Sequence, residues 1–121
     1  MGYRSDVAYI IKFATVLARD DYVTYLSNTT DKHLKTALTE VDYSHAEPII
    51  TFKAEDVKWY DFYEDVKAHQ HIYRHAAEHC GAAYRFIEVG EDGREDYECH
   101  EVDGIDIEDY IHTVHTIQTS F

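Results

Sequence analysis

The chain has 121 residues, a length that suits one hydrophobic core, and we expect a single domain covering residues 1–121. Apolar residues make up 45% of the sequence, which excludes an intrinsically disordered chain, and no apolar run reaches the roughly 18–20 residues that cross a bilayer. The formal net charge of −13 excludes a basic nucleic-acid-binding domain, and two cysteines are too few for a disulfide scaffold. We therefore expect a cytoplasmic protein.

The N-terminal half predicts a strand, two helices and a second strand, in that order. Alternating apolar side chains predict a strand over Val7–Phe13. Thr15 is placed to cap a first helix, and apolar residues at helical spacing predict a second helix from about Asp31 to Glu40. The single proline precedes a predicted strand over Ile49–Ala54, which we expect Glu55–Asp56 to end.

The clearest helix of the sequence is predicted between Asp61 and Gly81. Asp61 is a candidate N-cap, with Glu64 three residues later in a capping-box position, and Gly81 occupies the place of a left-handed C-cap. Residues at spacings of three and four form one apolar stripe, which we expect to face the core. Its members are Phe62, Val66, His69, Tyr73, Ala76, Ala77 and Cys80.

Three histidines of this helix form a second column at positions i, i+4 and i+8, namely His71, His75 and His79. Neighbouring imidazoles lie about one turn apart and could share a divalent ion such as zinc, provided that a second element adds ligands. Candidates for those ligands are His100, His112 and His115. The alternative is an exposed polar column with no bound metal, and this is the interpretation that we favour. We therefore expect no cofactor.

The C-terminal part predicts further strands. A strand over Ala83–Val89, a turn at Gly90–Gly93 and a returning strand over Tyr97–Val102 follow one another closely. Residues 106–121 fit an acid-capped helix, but their β-branched and aromatic content favours a strand. The order of elements predicts an α+β fold, an antiparallel sheet with helices packed on one face. This is a two-layer sandwich, for which a ferredoxin-like arrangement is one option.

Acidic residues are concentrated between Glu88 and Asp109, where eleven acids accompany one base, Arg94. Such a charge disfavours direct binding to nucleic acid or to an anionic membrane and suits a basic protein surface as partner. Solubility alone is the alternative explanation. The residues that we expect to form an acidic binding face are Glu91, Asp92, Glu95, Asp96, Glu98 and Glu101.

No sequence motif of an enzyme is recognisable in the chain. Phosphate loops, Gly-rich dinucleotide turns and nucleophile elbows are absent, and so is the His-Glu-x-x-His pattern of metalloproteases. We therefore expect no catalytic residue. The eleven tyrosines favour a binding role, because tyrosine offers a large and rigid contact area with a polar tip. A protein partner or a homodimer is the expectation.

Three short segments, Gly2–Val7, Val57–Tyr60 and Phe86–Asp92, occur in this order. Together they resemble a family of small uncharacterised proteins encoded by phages and prophages. The resemblance implies an accessory protein in the host-cell cytoplasm, with a strand as its last segment, and it implies no particular activity. The histidine column and the acidic window do not belong to the family pattern. An acidic inhibitor or nucleic-acid mimic that occupies a basic host protein is the sharpest form of this hypothesis.

Overall fold

Four antiparallel strands form the central sheet of the computed structural model, which describes residues 3–107, 111–113 and 117–119. The strands are β1 (Ser5–Lys12), β2 (Ile49–Val57), β3 (Ala83–Gly90) and β4 (Glu95–His100). Their order across the sheet is β2-β1-β3-β4, and each neighbouring pair is antiparallel. The predicted α+β class and antiparallel sheet are confirmed.

Three helices lie among these strands in the described part of the chain: α1 (Val16–Ser27), α2 (Lys32–Glu40) and α3 (Glu64–Cys80). The first two begin where the sequence predicts. The Thr15 hydroxyl and the Asp31 carboxylate each accept hydrogen bonds from backbone N–H groups of the first turn, which have no intrahelical partner. No described helix is both long and apolar enough to cross a membrane.

The helical connections between the strands agree only in part with a ferredoxin-like fold. Helix α3 joins β2 to β3, with β1 lying between them, which is one split β-α-β unit. Helices α1 and α2 instead join β1 to its direct antiparallel neighbour β2. A ferredoxin-like fold has two split units, whereas the described sheet contains one.

Strand β2 continues through Glu55 and Asp56, so the prediction that these acids end it is wrong. The pairing register shifts between Ser5 and Val7, where both acids lie opposite a single residue of β1. Asp56 adopts a left-handed backbone with φ of 54°, and its N–H donates to the Asp6 carboxylate at 2.9 Å. A β-bulge of this kind accommodates the extra residue without ending the ladder.

Helix α3 begins later than predicted, because Asp61 does not cap it. Tyr63 occupies the N-cap position without a side-chain cap bond, and the helix starts at Glu64. The Asp61 carboxylate accepts instead from Gln70 Nε2 at 3.0 Å, a group nine residues further along the chain. The other end is as predicted: Gly81 takes φ of +64°, a conformation that glycine adopts at little cost.

The apolar stripe of α3 is shorter than predicted. Val66, His69, Tyr73 and Ala76 are buried, together with two residues outside the predicted stripe, Ala68 and Ile72. Phe62 precedes the helix and is 70% exposed, with its ring stacked on that of Tyr60. Cys80 is exposed as well, because the last turn faces a groove beside α1. The expectation that both terminal positions belong to the core is therefore wrong.

The two faces of the sheet pack against different parts of the chain. Val7, Tyr9 and Ile11 of β1 point to the helices, whereas Ala8 and Ile10 point to the opposite face. That opposite face packs against a C-terminal segment. The buried residues contributed by this segment are Ile107 and Ile117.

The C-terminal segment supplies two short strands, β5 (Ile111–Thr113) and β6 (Ile117–Thr119), which pair with each other in antiparallel fashion. The predicted strand character is confirmed for these residues, and the rest of the predicted strand, residues 108–110, 114–116 and 120–121, lies outside the described residues. The sheet thus has helices on one face, as predicted, and a small additional layer on the other.

Candidate functional site

The acidic residues predicted to form one face are distributed over a turn and both faces of strand β4. Glu91 and Asp92 lie in the β3–β4 turn, and Glu101 follows β4. Asp96 and Glu98 of β4 pair with Glu88 and Phe86 of β3, respectively, on the face of the sheet that carries the helices. Glu95 pairs with Val89 of the opposite core. The strand alternation therefore separates carboxylates that are adjacent in sequence.

Glu98 is engaged within the molecule. Arg74 of α3 donates through Nε and Nη2 to the two carboxylate oxygens, at 2.8 and 2.6 Å. The Tyr84 hydroxyl donates to the same carboxylate at 2.6 Å. The hydrogen bonds from Arg74 lower the pKa of Glu98 and keep it ionised. This carboxylate ties the helix layer to the edge strand, and its charge is balanced by the guanidinium.

Asp92 is also engaged, at the start of the β3–β4 turn. Its carboxylate accepts from the Tyr3 hydroxyl and from the backbone N–H of Arg94 at 3.0 Å. These bonds, that of Tyr3 first, lower the pKa of Asp92. The turn itself has the predicted glycine chemistry, since Gly93 has φ of +84°. Asp92 therefore shapes the turn and fastens the N-terminal segment to it.

The remaining carboxylates give the edge strand its negative charge. Glu91, Asp96 and Glu101 are exposed, and the Glu95 carboxylate accepts from the Tyr97 hydroxyl at 2.7 Å. Asp96 lies opposite Glu88. Burial raises the pKa of Glu88, the Ser5 hydroxyl opposes this shift, and Asp96 adds to it. Several carboxylates thus crowd one edge of the sheet, where Arg94 in the β3–β4 turn lies 3.5 Å from Asp92.

The two outer strands of the sheet differ in how their edges are protected. At the β2 edge, Asp42 and Thr51 exchange both backbone hydrogen bonds, at 2.8 and 2.9 Å. Among residues 3–107, 111–113 and 117–119, no strand pairs with the outer edge of β4. An unpaired edge presents backbone N–H and C=O groups that can receive another strand.

The histidine column is present along α3 as a row of ring contacts. The rings of His71 and His75 have centroids 4.9 Å apart, and those of His75 and His79 are 4.3 Å apart. Burial lowers the pKa of His75, and the two flanking histidines lower it further. Within the described parts of the chain, no group of three or more His, Cys, Asp or Glu is arranged to hold a metal ion.

Of the additional metal ligands proposed from the sequence, His100 has a described side chain, and it does not join this column. His100 lies on β4, where its ring stacks on Tyr84 with centroids 6.2 Å apart. The side chain of His112 and the whole of His115 lie outside the described residues. The His71, His75 and His79 metal site therefore gains no support, and the packing of these rings acquires another interpretation below.

One polar network, in the core, was not predicted. His69 is 2% exposed and lies between Tyr9, whose hydroxyl is 2.6 Å from Nδ1, and Glu40, whose Oε1 is 3.0 Å from Nε2. Burial raises the pKa of Tyr9 well above its usual range, so its hydroxyl keeps its proton and donates to Nδ1. The imidazole is then neutral and donates from Nε2 to Glu40, which satisfies both ring nitrogens.

Comparisons with models of protein families, with curated proteins and with solved structures found no match for this chain.

Proposed function

We propose that this chain is a protein-binding module that acts through the acidic β4 edge, without catalysis. We define the acidic β4 edge as the β3–β4 turn, strand β4 and Glu101. Its partner is a basic protein segment that lies along β4 as an added strand. The observation that carries this proposal is an unpaired edge strand, among the described residues, which exposes the carboxylates of Glu95 and Asp96 and is flanked by those of Glu91 and Glu101.

Charge supports a basic partner in preference to a second copy of the chain. Two β4 strands pairing with each other would bring carboxylates into opposition, and like charges on facing strands are destabilising. Lys or Arg side chains on an added strand would instead face Asp96 on one side of the sheet and Glu95 on the other. Phosphate backbones and anionic lipids are disfavoured by the same charge.

Strand addition supports a linear segment as the ligand. In this mode the backbone of the added strand supplies hydrogen bonds, and alternate side chains supply specificity. Because the sequence resembles small phage proteins, we propose that the partner is a host protein of the cytoplasm. We therefore propose that the protein inhibits a host protein that has a basic surface, a role consistent with the acidic edge, the strand addition and the resemblance.

The proposal is tested with a synthetic peptide of roughly eight residues, a typical strand length, in which Lys-Lys and Thr-Thr pairs alternate so that lysines reach both faces of the sheet. Its binding is followed by fluorescence anisotropy at low ionic strength. The test variant carries Glu91→Lys, Asp96→Lys and Glu101→Lys. The matched control carries Asp21→Lys, Glu55→Lys and Glu78→Lys, which gives the same net charge with the changes placed elsewhere.

We expect the test variant to bind about 10-fold more weakly than the control, since three surface ion pairs of about 0.5 kcal/mol each are replaced by repulsion. An N-methylated peptide of the same charge should also bind weakly, because it cannot complete the β4 ladder. Equal affinities of the test and control variants would overturn the proposal. If the test variant binds more weakly but N-methylation of the peptide has no effect, the acidic β4 edge binds the peptide by charge alone. The proposed strand addition is then wrong.

A further inference from the structure

A groove runs between the C-terminal half of α3 and the facing side of α1. It encloses about 550 Å³, within the range of roughly 300–1,000 Å³ that is typical of small-molecule sites. Helix α1 contributes Asp21, Tyr22 and Tyr25, and helix α3 contributes His75, His79 and Cys80. None of these residues belongs to the acidic β4 edge, so the groove is a separate feature of the molecule.

The rings of this groove are close to parallel. The planes of Tyr25 and His75 differ by 2°, with centroids 5.1 Å apart, and Tyr22 is inclined by 19° to both. His79 follows at 32° to His75. Aligned ring planes favour a ligand that is itself flat, because offset stacking maximises contact between aromatic faces.

The floor of the groove is fixed, whereas its rim is open. Tyr22 is 2% exposed, and its hydroxyl donates to the Ile72 carbonyl at 2.7 Å, which joins α1 to α3. His75 Nδ1 is buried and has no hydrogen-bond partner among the described residues, so the imidazole is positioned by its ring contacts. Tyr25, by contrast, is 52% exposed. A half-exposed ring beside a fixed aromatic floor leaves a face on which a ligand can stack.

The charge of the groove is negative at neutral pH. Burial lowers the pKa of His75 and raises that of Cys80, so the first is a neutral imidazole and the second a thiol. Asp21 is exposed and carries a carboxylate at the rim. A cation is therefore the complementary ligand, and aromatic faces attract cations in addition.

We propose that the groove between α1 and α3 binds a planar heteroaromatic cation, which stacks on Tyr25 and directs its positive charge toward Asp21. The aromatic walls supply affinity for the ring, and the carboxylate selects the protonated form. Two members of the histidine column, His75 and His79, form part of the wall of this site. The inference is independent of the proposed binding of a basic protein.

The test uses proflavine, a flat tricyclic cation whose fluorescence reports its surroundings, titrated at about 0.15 M salt to screen diffuse charge. Acridine, the same ring system without charge at pH 7.5, tests the contribution of charge. Tyr25→Ala and Asp21→Asn are the test variants. Their controls are Tyr43→Ala, an exposed tyrosine outside the groove, and Glu55→Gln, an exposed carboxylate of β2.

We expect saturable binding at one site that is about 10-fold weaker in Tyr25→Ala, since one ring stacked on one aromatic side chain contributes about 1–3 kcal/mol. Asp21→Asn should weaken the binding of proflavine and leave the binding of acridine unchanged. Amide shifts in NMR spectra should cluster at Ala18, Asp21 and His79. Non-saturable binding, or equal losses of affinity in the Tyr43→Ala and Glu55→Gln controls, would overturn the site. Thermal unfolding of each variant verifies that the fold is retained.

Discussion

The two flanks of helix α3 use the same residue type in opposite ways. On the inner flank, His69 is enclosed by Phe52 and Trp59, with ring centroids 4.2 and 5.7 Å away, and both of its nitrogens are hydrogen-bonded. On the outer flank, His71 and His79 are exposed and make ring contacts with their helical neighbour. A buried histidine of α3 thus contributes to the stability of the core, whereas the exposed histidines form part of the surface. The difference depends on what packs against each side of the helix.

The largest change in the free energy of unfolding should follow from removing the buried imidazole of His69. His69→Ala deletes a buried aromatic side chain and leaves the Tyr9 hydroxyl without its acceptor. We expect the free energy of unfolding to fall by about 3–5 kcal/mol, as for other large-to-small core substitutions. Urea denaturation followed by circular dichroism measures it. A loss below about 1 kcal/mol would mean that the site collapses and that His69 is dispensable.

A narrower change tests the hydrogen bond alone. Tyr9→Phe keeps the ring but leaves His69 Nδ1 buried without a donor, and we expect a loss of about 1–3 kcal/mol in the free energy of unfolding. Tyr97→Phe is the matched control, because this tyrosine is 50% exposed and its hydroxyl bonds a carboxylate at the surface. The same urea titrations apply, and equal losses in both variants would contradict the assigned role of the inner network.

Acid should weaken the inner flank by a smaller amount. Burial lowers the pKa of His69, and the carboxylates of Glu40 and Asp65 offset only part of this shift. A group whose folded pKa lies below its unfolded value contributes stability above the unfolded pKa, about 6.5 for histidine, and loses it as the pH falls toward the folded pKa. The wild type should therefore lose stability below about pH 6.5.

Since the chain has eight further histidines, His69→Gln serves as the reference for this pH dependence. The difference in the free energy of unfolding between the wild type and this variant should narrow as the pH falls. A difference that stays constant from neutral to acidic pH would show that the pKa of His69 is the same in the folded and unfolded states.

The smallest effect is expected on the outer flank. His71→Ala and His79→Ala remove exposed rings, and we expect changes within about 0.5 kcal/mol in the free energy of unfolding. Compared with His69→Ala, they are histidine-to-alanine changes on the same helix that differ in burial. A loss of more than about 1 kcal/mol in the free energy of unfolding of either variant would mean that the exposed histidines stabilise the fold as a core residue does. The two sides of α3 would then not differ in this respect.

Local patterns in the sequence were sufficient for most elements of the fold. The caps at Thr15 and Asp31 and the left-handed Gly81 were predictable, because a cap is recognised within one turn of chain. Asp61 was not, since its hydrogen bond goes to Gln70 and not to the turn beside it. The continuation of β2 past Glu55 depends on a bulge in the pairing with β1, which composition does not reveal.

The candidate site was predictable as a composition but not as an arrangement. The acidic window was evident from composition, yet the engagement of Glu98 by Arg74 joins residues 24 positions apart in the chain. The groove between α1 and α3 was missed, because Tyr22, Tyr25 and His75 belong to separate helices. The signal available in advance was the spacing of Tyr22 and Tyr25 on one side of α1.

By itself, the sequence determined the α+β class, the helix caps, the β3–β4 turn and the negative charge around β4, because each depends on neighbouring residues or on counting. Only the tertiary structure decided which acids are neutralised, that His69 has two partners, 60 and 29 residues away, and that the β4 edge is unpaired among the described residues. The physical reason is that burial and pairing depend on which distant segments meet, and those contacts form only when the sheet and its helices assemble.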